Sequence, residues 1–215
     1  MPLFPLRTVL FPGMPLPLRI FEERYKIMVR ELLASGGDFG VLLIREGEEV
    51  GGGARPYTYG TLARIEEWEE VQGGRFVLEA RGTRRFKLLR MLPPRPYPYG
   101  EIELLEDSDG AGTPQLLHAV ETVRTTFPLY FRLALTLTNQ WAQNMKLPIR
   151  PHDLVNFIGP WLQVEEETKQ KLLEFESAQD RVAQLAELLD ELLSTAREEV
   201  DEHHRRKYRS LGSAN

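Results

Sequence analysis

The 215-residue chain contains no cysteine. Disulfides, thiolate metal sites and cysteine nucleophiles are therefore excluded, and the composition suits a reducing compartment, so a cytoplasmic location is expected. No apolar run approaches the ~20 residues that span a bilayer, so no membrane partner is expected. The first apolar stretch is interrupted by prolines and lacks the cationic lead of a secretory signal. Positive charge is in deficit: 27 Lys and Arg against 32 Asp and Glu give a net charge of −5. That balance argues against a general binder of nucleic acid or anionic lipid. There is no G-x-x-x-x-G-K-[ST] to cradle a nucleotide phosphate, and no serine stands in a G-x-S-x-G elbow. The triple glycine Gly51-Gly52-Gly53 is followed by Ala54-Arg55, with no helix opening behind it, and reads as a hairpin loop. Histidine is scarce. His118 and His152 stand apart and read as surface or boundary residues. His203 and His204 lie near Glu199 and Glu202, but neighbouring helical side chains diverge by about 100°, so a solvated face is the reading and no metal is expected. Neither cofactor nor catalytic residue is expected.

Proline, by contrast, is plentiful early. Pro2, Pro5, Pro12, Pro15 and Pro17 forbid a helix there. With Leu3, Phe4, Leu6, Val9, Leu10 and Phe11 they predict short strands with bulges or exposed edges. The period then changes. Phe21, Tyr25, Met28, Val29, Leu32 and Leu33 fall at helical spacing. Glu22 and Lys26 form a favourable i,i+4 pair on the other face, and Ser35-Gly36-Gly37 stops the helix. Asp38 to Arg45 is a continuous apolar run, the mark of a strand buried on both faces. Tyr57 to Val71 predicts a long, bulged strand and Gln72-Gly73-Gly74-Arg75 a hairpin turn. Residues 76–80, a further turn at Arg81-Gly82-Thr83, a strand around Phe86 and Leu88, and a last strand at Ile102 and Leu104 complete a barrel-like series. Asp107 to Thr113 is the expected domain boundary. Thr113-Pro114 starts a helix, which Pro128 is expected to kink or end, with a second helix from Leu129 to about Met145. Shorter helices follow at 152–158 and 164–175. The last helix, capped by Ser177, carries Val182, Leu185, Leu189, Leu192 and Ala196 as an apolar stripe that is either core or a dimer seam.

An ordered series of short motifs resembles the N-terminal, LON substrate-binding domain of Lon proteases. The motifs are Leu3-Phe4-Pro5-Leu6-Arg7, Leu10-Phe11-Pro12-Gly13, Leu16-Pro17-Leu18, Ile20-Phe21-Glu22 with Arg24-Tyr25, Phe39-Gly40-Val41, Tyr59-Gly60-Thr61-Leu62-Ala63-Arg64-Ile65, and Gly74-Arg75-Phe76 leading to Arg85-Phe86. The resemblance implies an α+β fold: a PUA-like β pseudobarrel with one amphipathic helix over residues 1–107, then a C-terminal helical bundle over residues 114–209 ending in a long helix. It implies a non-enzymatic module that recognises unfolded or tagged polypeptide segments, serving a separate protease or chaperone. The ATPase and peptidase modules of full-length relatives are not expected in these residues.

Peptide recognition needs exposed apolar surface or a free strand edge. Two segments qualify: Phe11-Pro12-Gly13-Met14-Pro15, with Met14 as an adaptable side chain, and Arg95-Pro96-Tyr97-Pro98-Tyr99, expected near Tyr57 and Tyr59. Packing between barrel and helices competes as an explanation for each. The alternative is an RNA-binding surface on Arg81, Arg84, Arg85 and Lys87, extended by Arg90, which alternation would otherwise make a solvated strand face. Glu66, Glu67, Glu69 and Glu70 around Trp68 read as a charged strand edge that discourages edge-to-edge pairing. Glu22 and Arg24 read as a structural ion pair.

Overall fold

In the computed structural model, residues 1–51, 53–93, 95–109, 112–137 and 145–212 are described; the side chains of residues 203, 204 and 206–212 are not among them, so the His203 and His204 readings fall outside. The chain divides into two compact units: Met1–Asp107 with Leu162–Glu176, and Ser108–Trp161 with Ser177–Asn215.

The first unit is a β pseudobarrel. Its strands are β1 (Leu3–Leu6), β2 (Pro15–Ile20), β3 (Phe39–Glu46), β4 (Arg55–Val71), β5 (Arg75–Met91) and β6 (Gly100–Leu104), with helix α1 (Glu23–Ser35) before β3. The order is β1-β3-β4-β5-β2, with β6 also on β5. β1 and β3 run parallel, as the intervening helix allows, because a parallel pair needs a long crossover. Pro2 bridges Tyr99, and Leu3 N donates to Pro98 O at 2.9 Å. These bonds bring β1 back beside β6 and close the ring.

Strand β5 is one strand of 17 residues. The turn expected at Arg81-Gly82-Thr83 is absent. Gly82 marks a close backbone approach instead: a Cβ there would lie 2.3 Å from Phe11 O, and Gly82 N donates to Met14 O at 2.9 Å. The first half of β5 pairs with β2 and the second with β6, while β4 runs along its other side with register shifts at the expected bulge. Gly60 serves the same purpose inside the ring, where a Cβ would meet Val41 O at 2.2 Å. That absence lets Leu3, Leu42, Leu62, Phe86 and Leu88 fill the narrow interior. A larger cluster packs Phe4, Tyr25, Met28, Val29, Leu32 and Phe39 between sheet and helix, with the Phe4 and Tyr25 rings edge-on at 4.2 Å.

Helix α1 ends on Gly36 in the left-handed conformation (φ 68°), whose N–H bonds Leu32 O. Phe21 precedes the helix and is exposed, so it does not extend the buried face. Lys26 is buried and donates to Glu23 (2.7 Å) and Gly73 O (3.2 Å); the expected partner Glu22 pairs with Arg24 at 2.9 Å.

Arg85 is fully buried, not on a solvated face. It donates to Asp107 Oδ1 (2.9 and 2.7 Å) and to the Leu173 and Phe175 carbonyls (both 2.6 Å). Those carbonyls end helix α4 (Glu166–Glu174), whose C-terminal dipole favours a cation. Residues 162–176 are thereby held in the β unit.

The second unit contains α2 (Pro114–Leu137), α3 (Pro151–Ile158), a short 3-10 turn (Gly159–Trp161) and α5 (Ala178–Gly212). Thr113 caps α2 through Leu116 N at 3.1 Å, and Ser177 caps α5 through Asp180 N at 3.0 Å. Pro128 does not end α2. The proline lies on the exposed side, while Val123, Phe127, Tyr130 and Ala134 continue one buried stripe across it. Burial of that stripe outweighs the lost backbone bond. Residues 138–144, expected to extend a second helix, fall outside the described residues. On α5, Val182, Leu185, Leu189 and Ala196 are buried within the unit. His152 is also buried rather than at the surface: Nε2 bonds Ser108 O (2.7 Å), and Nδ1 accepts from buried Arg181 (2.9 Å), which also donates to Asn156 (2.8 Å).

Two outcomes follow. Arg85→Met removes the donors of two helix-end carbonyls and is expected to cost about 3–5 kcal/mol in chemical denaturation. The exposed Arg84→Met is expected to stay within about 0.5 kcal/mol of the parent; equal losses in the two would contradict the buried clamp. Burial pushes the Tyr25 hydroxyl up to about 12, from the usual tyrosine value of 10.0. Between those values the unfolded chain binds fewer protons than the folded one. Stability should therefore fall as pH rises from 10 to about 12, by roughly 2–3 kcal/mol, and level off above. Tyr25→Phe should remove this part of the alkaline slope, measured by denaturation at stepped pH.

Candidate functional site

Four adjoining depressions run along the first unit and share walls. The first, of about 330 Å³, lies between Phe21 and Val77 with Arg19 and Arg75 at its sides. Arg19, Ile20 and Phe21 carry it into a second of about 160 Å³, walled by Glu22, Glu49 and Val50. Pro5, Tyr25 and Glu49 join that to a third of about 270 Å³, which includes Arg24, Met91 and Arg95. Arg95, Tyr97 and Tyr99 separate the third from a fourth of about 380 Å³ beside Met1, Glu31 and Asp38.

Each wall has a local cause. Phe21 is the last residue before the Glu22 cap, so the chain has left the sheet and not yet entered the helix. Val77 sits on the outward side of β5, between buried Phe76 and Leu78. Val50 stands in the β3–β4 loop, where Gly47, Gly51 and Gly53 adopt positive φ. That loop is strapped down: Glu49 accepts from Arg7 N, Arg24 donates to Glu49 O at 3.1 Å, and Arg7 pairs with Glu48 at 2.9 Å. Met91 ends β5 ahead of the proline-rich turn. Phe21 (56%), Val50 (57%), Val77 (43%) and Met91 (47%) are all substantially exposed, so much of this unit's exposed bulky apolar surface faces one series of depressions.

Tyr97 is buried, and its hydroxyl donates to Glu31. Burial, then that carboxylate, raises its pKa. Arg95 lies over the Tyr99 ring at 4.3 Å. The Met1 ammonium is held below its usual range, chiefly by burial and then by Arg95.

The residues singled out from the sequence are dispersed. Tyr97 and Tyr99 line the groove, but Tyr57 and Tyr59 line none of its four depressions. Tyr59 instead donates to Glu176 at 2.9 Å. Phe11 is completely buried, Pro12 is half-buried, and half-buried Met14 packs on the larger core cluster. Of the basic set, Arg81 pairs with Glu66 (2.9 Å) and Lys87 with Glu176 (3.6 Å). Arg85 is the buried clamp, which leaves exposed Arg84. Glu70 pairs with Arg30 at 3.4 Å, and Trp68 is exposed on a β4 edge that β3 no longer covers beyond Ala63. Sequence reasoning missed Phe21, Val50, Val77 and Met91. A lone valine in a polar, glycine-rich loop was a usable signal for Val50; the outward facing of Val77 needed the register.

Among the described residues no group of three or more His, Asp or Glu is placed to hold a metal ion. No described helix is long and apolar enough to cross a membrane.

Residues 1–191 match the family model of the ATP-dependent protease La (LON) substrate-binding domain. The Lon protease of Anaeromyxobacter dehalogenans is 27% identical over 88% of this chain, which spans 23% of that protein. Lon protease 2 of Myxococcus xanthus is 26% identical, with the same coverage of both chains. Among solved structures, a Lon N-terminal domain protein from Xanthomonas campestris is 31% identical, covers 86% of this chain and 95% of its own, and superposes with a TM-score of 0.62. The N-terminal domain of the Mycobacterium avium complex Lon protease shares the fold at 18% identity, with a TM-score of 0.61 over 90% of this chain and 97% of its own. With a family model matched over 191 of its 215 residues, the chain belongs to the LON substrate-binding domain family.

Proposed function

We propose that the groove beside α1 binds unfolded or tagged polypeptide segments in extended form, without catalysis by this chain. The bound segments would be handed to a separate protease or chaperone. The observation that carries this reading is the convergence of Phe21, Val50, Val77 and Met91 on one run of adjoining depressions. Exposed bulky apolar side chains are usually scattered singly on a soluble domain. A continuous row of them, with polar groups between, suits a partner whose side chains alternate in direction. Met91 adds an unbranched side chain that adapts to different partners. The strapped β3–β4 loop gives the row a fixed wall, which lowers the ordering cost of binding. The LON membership supports the same reading, since the matched family model is a substrate-binding domain. A cytoplasmic setting accords with the absence of cysteine.

The test is fluorescence anisotropy with a labelled, permanently unfolded model polypeptide. The double variant Phe21→Ser, Met91→Ser should weaken binding by at least about tenfold with unchanged circular dichroism. Trp68→Ser, equally exposed but outside the groove, should leave binding as it was. Parent-like affinity in the double variant would overturn the assignment of the groove.

A further inference from the structure

We infer that the groove selects segments in which apolar or aromatic residues are flanked by carboxylates; this rests on the polypeptide-binding reading above. The argument is the state of the charges along the groove. Its carboxylates are engaged within the protein. Glu22 pairs with Arg24, Asp38 takes a bidentate bond from Arg64 at 2.8 and 3.1 Å, Glu31 accepts from Tyr97, and Glu49 accepts from the Arg7 amide.

Apart from Arg24, its guanidiniums are not matched in this way. Among the described residues the Arg19 side chain makes no ion pair or hydrogen bond, and the Arg75 side chain donates only to the Gln72 carbonyl of its own turn, at 3.1 Å. Among the described residues Arg95 forms no ion pair; it rests on the face of Tyr99 and hydrogen-bonds Tyr97. Arg19, opposite Val77 on β2, and Arg75, two residues before Val77 on β5, both line the Phe21–Val77 depression, and Arg95 lines both the third and the fourth. On the neighbouring strand Glu69 stands opposite Val77, but neither it nor Glu67 lines the first depression.

A guanidinium beside an apolar floor takes a carboxylate bidentately, while the adjacent side chain of the same segment buries its apolar surface. A lysine-rich segment would meet unmatched cations, while the carboxylates that line the depressions are already engaged. The selectivity is local, because the chain as a whole carries −5 and does not draw acidic segments from a distance.

The test compares three labelled peptides of equal length in which leucine and phenylalanine alternate with Glu, Gln or Lys. Anisotropy is read at low and high salt. The Glu peptide should bind about tenfold more tightly than the Gln peptide and the Lys peptide least, with the Glu advantage shrinking as salt rises. The double variant Arg19→Gln, Arg75→Gln should bind the Glu and Gln peptides alike. Arg84→Gln, the same charge change at an exposed residue outside the groove, should keep the parent's preference. Equal binding of the Glu and Gln peptides by the parent, or a preference that survives in the double variant, overturns the inference while leaving polypeptide binding intact. Failure of all three peptides and of an unfolded polypeptide to bind overturns both.

Discussion

One fully buried guanidinium, that of Arg85, ties the β unit together. Arg85 projects from the middle of β5 into the interior, its side chain fully buried, where an unmatched charge would be very unfavourable. The chain supplies oxygens from two distant places: Asp107, just past the last strand, and the terminal carbonyls of α4. Neither source is optional once the guanidinium is inside. The clamp therefore decides where the barrel's last connection lies and which helix covers it. Glu166 near the other end of α4 accepts from Val9 N at 2.6 Å, and Gln170 donates to Tyr59 O at 3.0 Å. A short helix is thus pinned at its start, middle and end.

The groove is a by-product of how the prolines route the chain. Pro12 and Pro15 bracket a loop held against Gly82, and Pro17 lies in β2, the last strand of the sheet order, where its missing donor does no harm. The chain then leaves the sheet at Ile20 and starts α1 at Glu23, with too few residues between to bury Phe21. The Pro96-Tyr97-Pro98-Tyr99 turn stands at the other end, its Tyr97 anchored to Glu31 of α1. Between these ends Glu49, Val50 and Gly53 supply a side wall. The bonds from Arg24 to Glu49 O and from Tyr97 to Glu31 tie these walls to one another.

Much of the fold was legible because local chemistry and tertiary structure agree. The Gly36 stop, the Thr113 and Ser177 caps, the Gln72–Arg75 hairpin and the doubly buried β3 follow from nearest-neighbour rules. The exceptions share one physical cause: a residue whose surroundings are set by packing that its sequence neighbours do not announce. Gly82 reads as a turn until Phe11 is known to press against it. Pro128 reads as a break until its side of α2 is known to face away from the buried stripe. Arg85 reads as a surface residue because nothing nearby announces Leu173 or Phe175. The candidate site was less legible for the same reason. Tyr97 and Tyr99 were visible as an aromatic turn. Phe21 and Val77, some fifty residues apart, become neighbours only through the β2–β5 register, and a strict helical period had assigned Phe21 to the wrong face.

The β unit is discontinuous in sequence. Residues 108–161, which belong to the helical unit, are threaded between the barrel and the α4 segment that completes it. During synthesis the barrel strands emerge first, yet the carbonyls that neutralise Arg85 are made only after that whole insertion has been translated. Until then the nascent strands hold a cation with two of its three oxygen partners missing. Folding of the first unit is therefore coupled in time to translation of the second, and the N-terminal half reaches its final form late although it is made early.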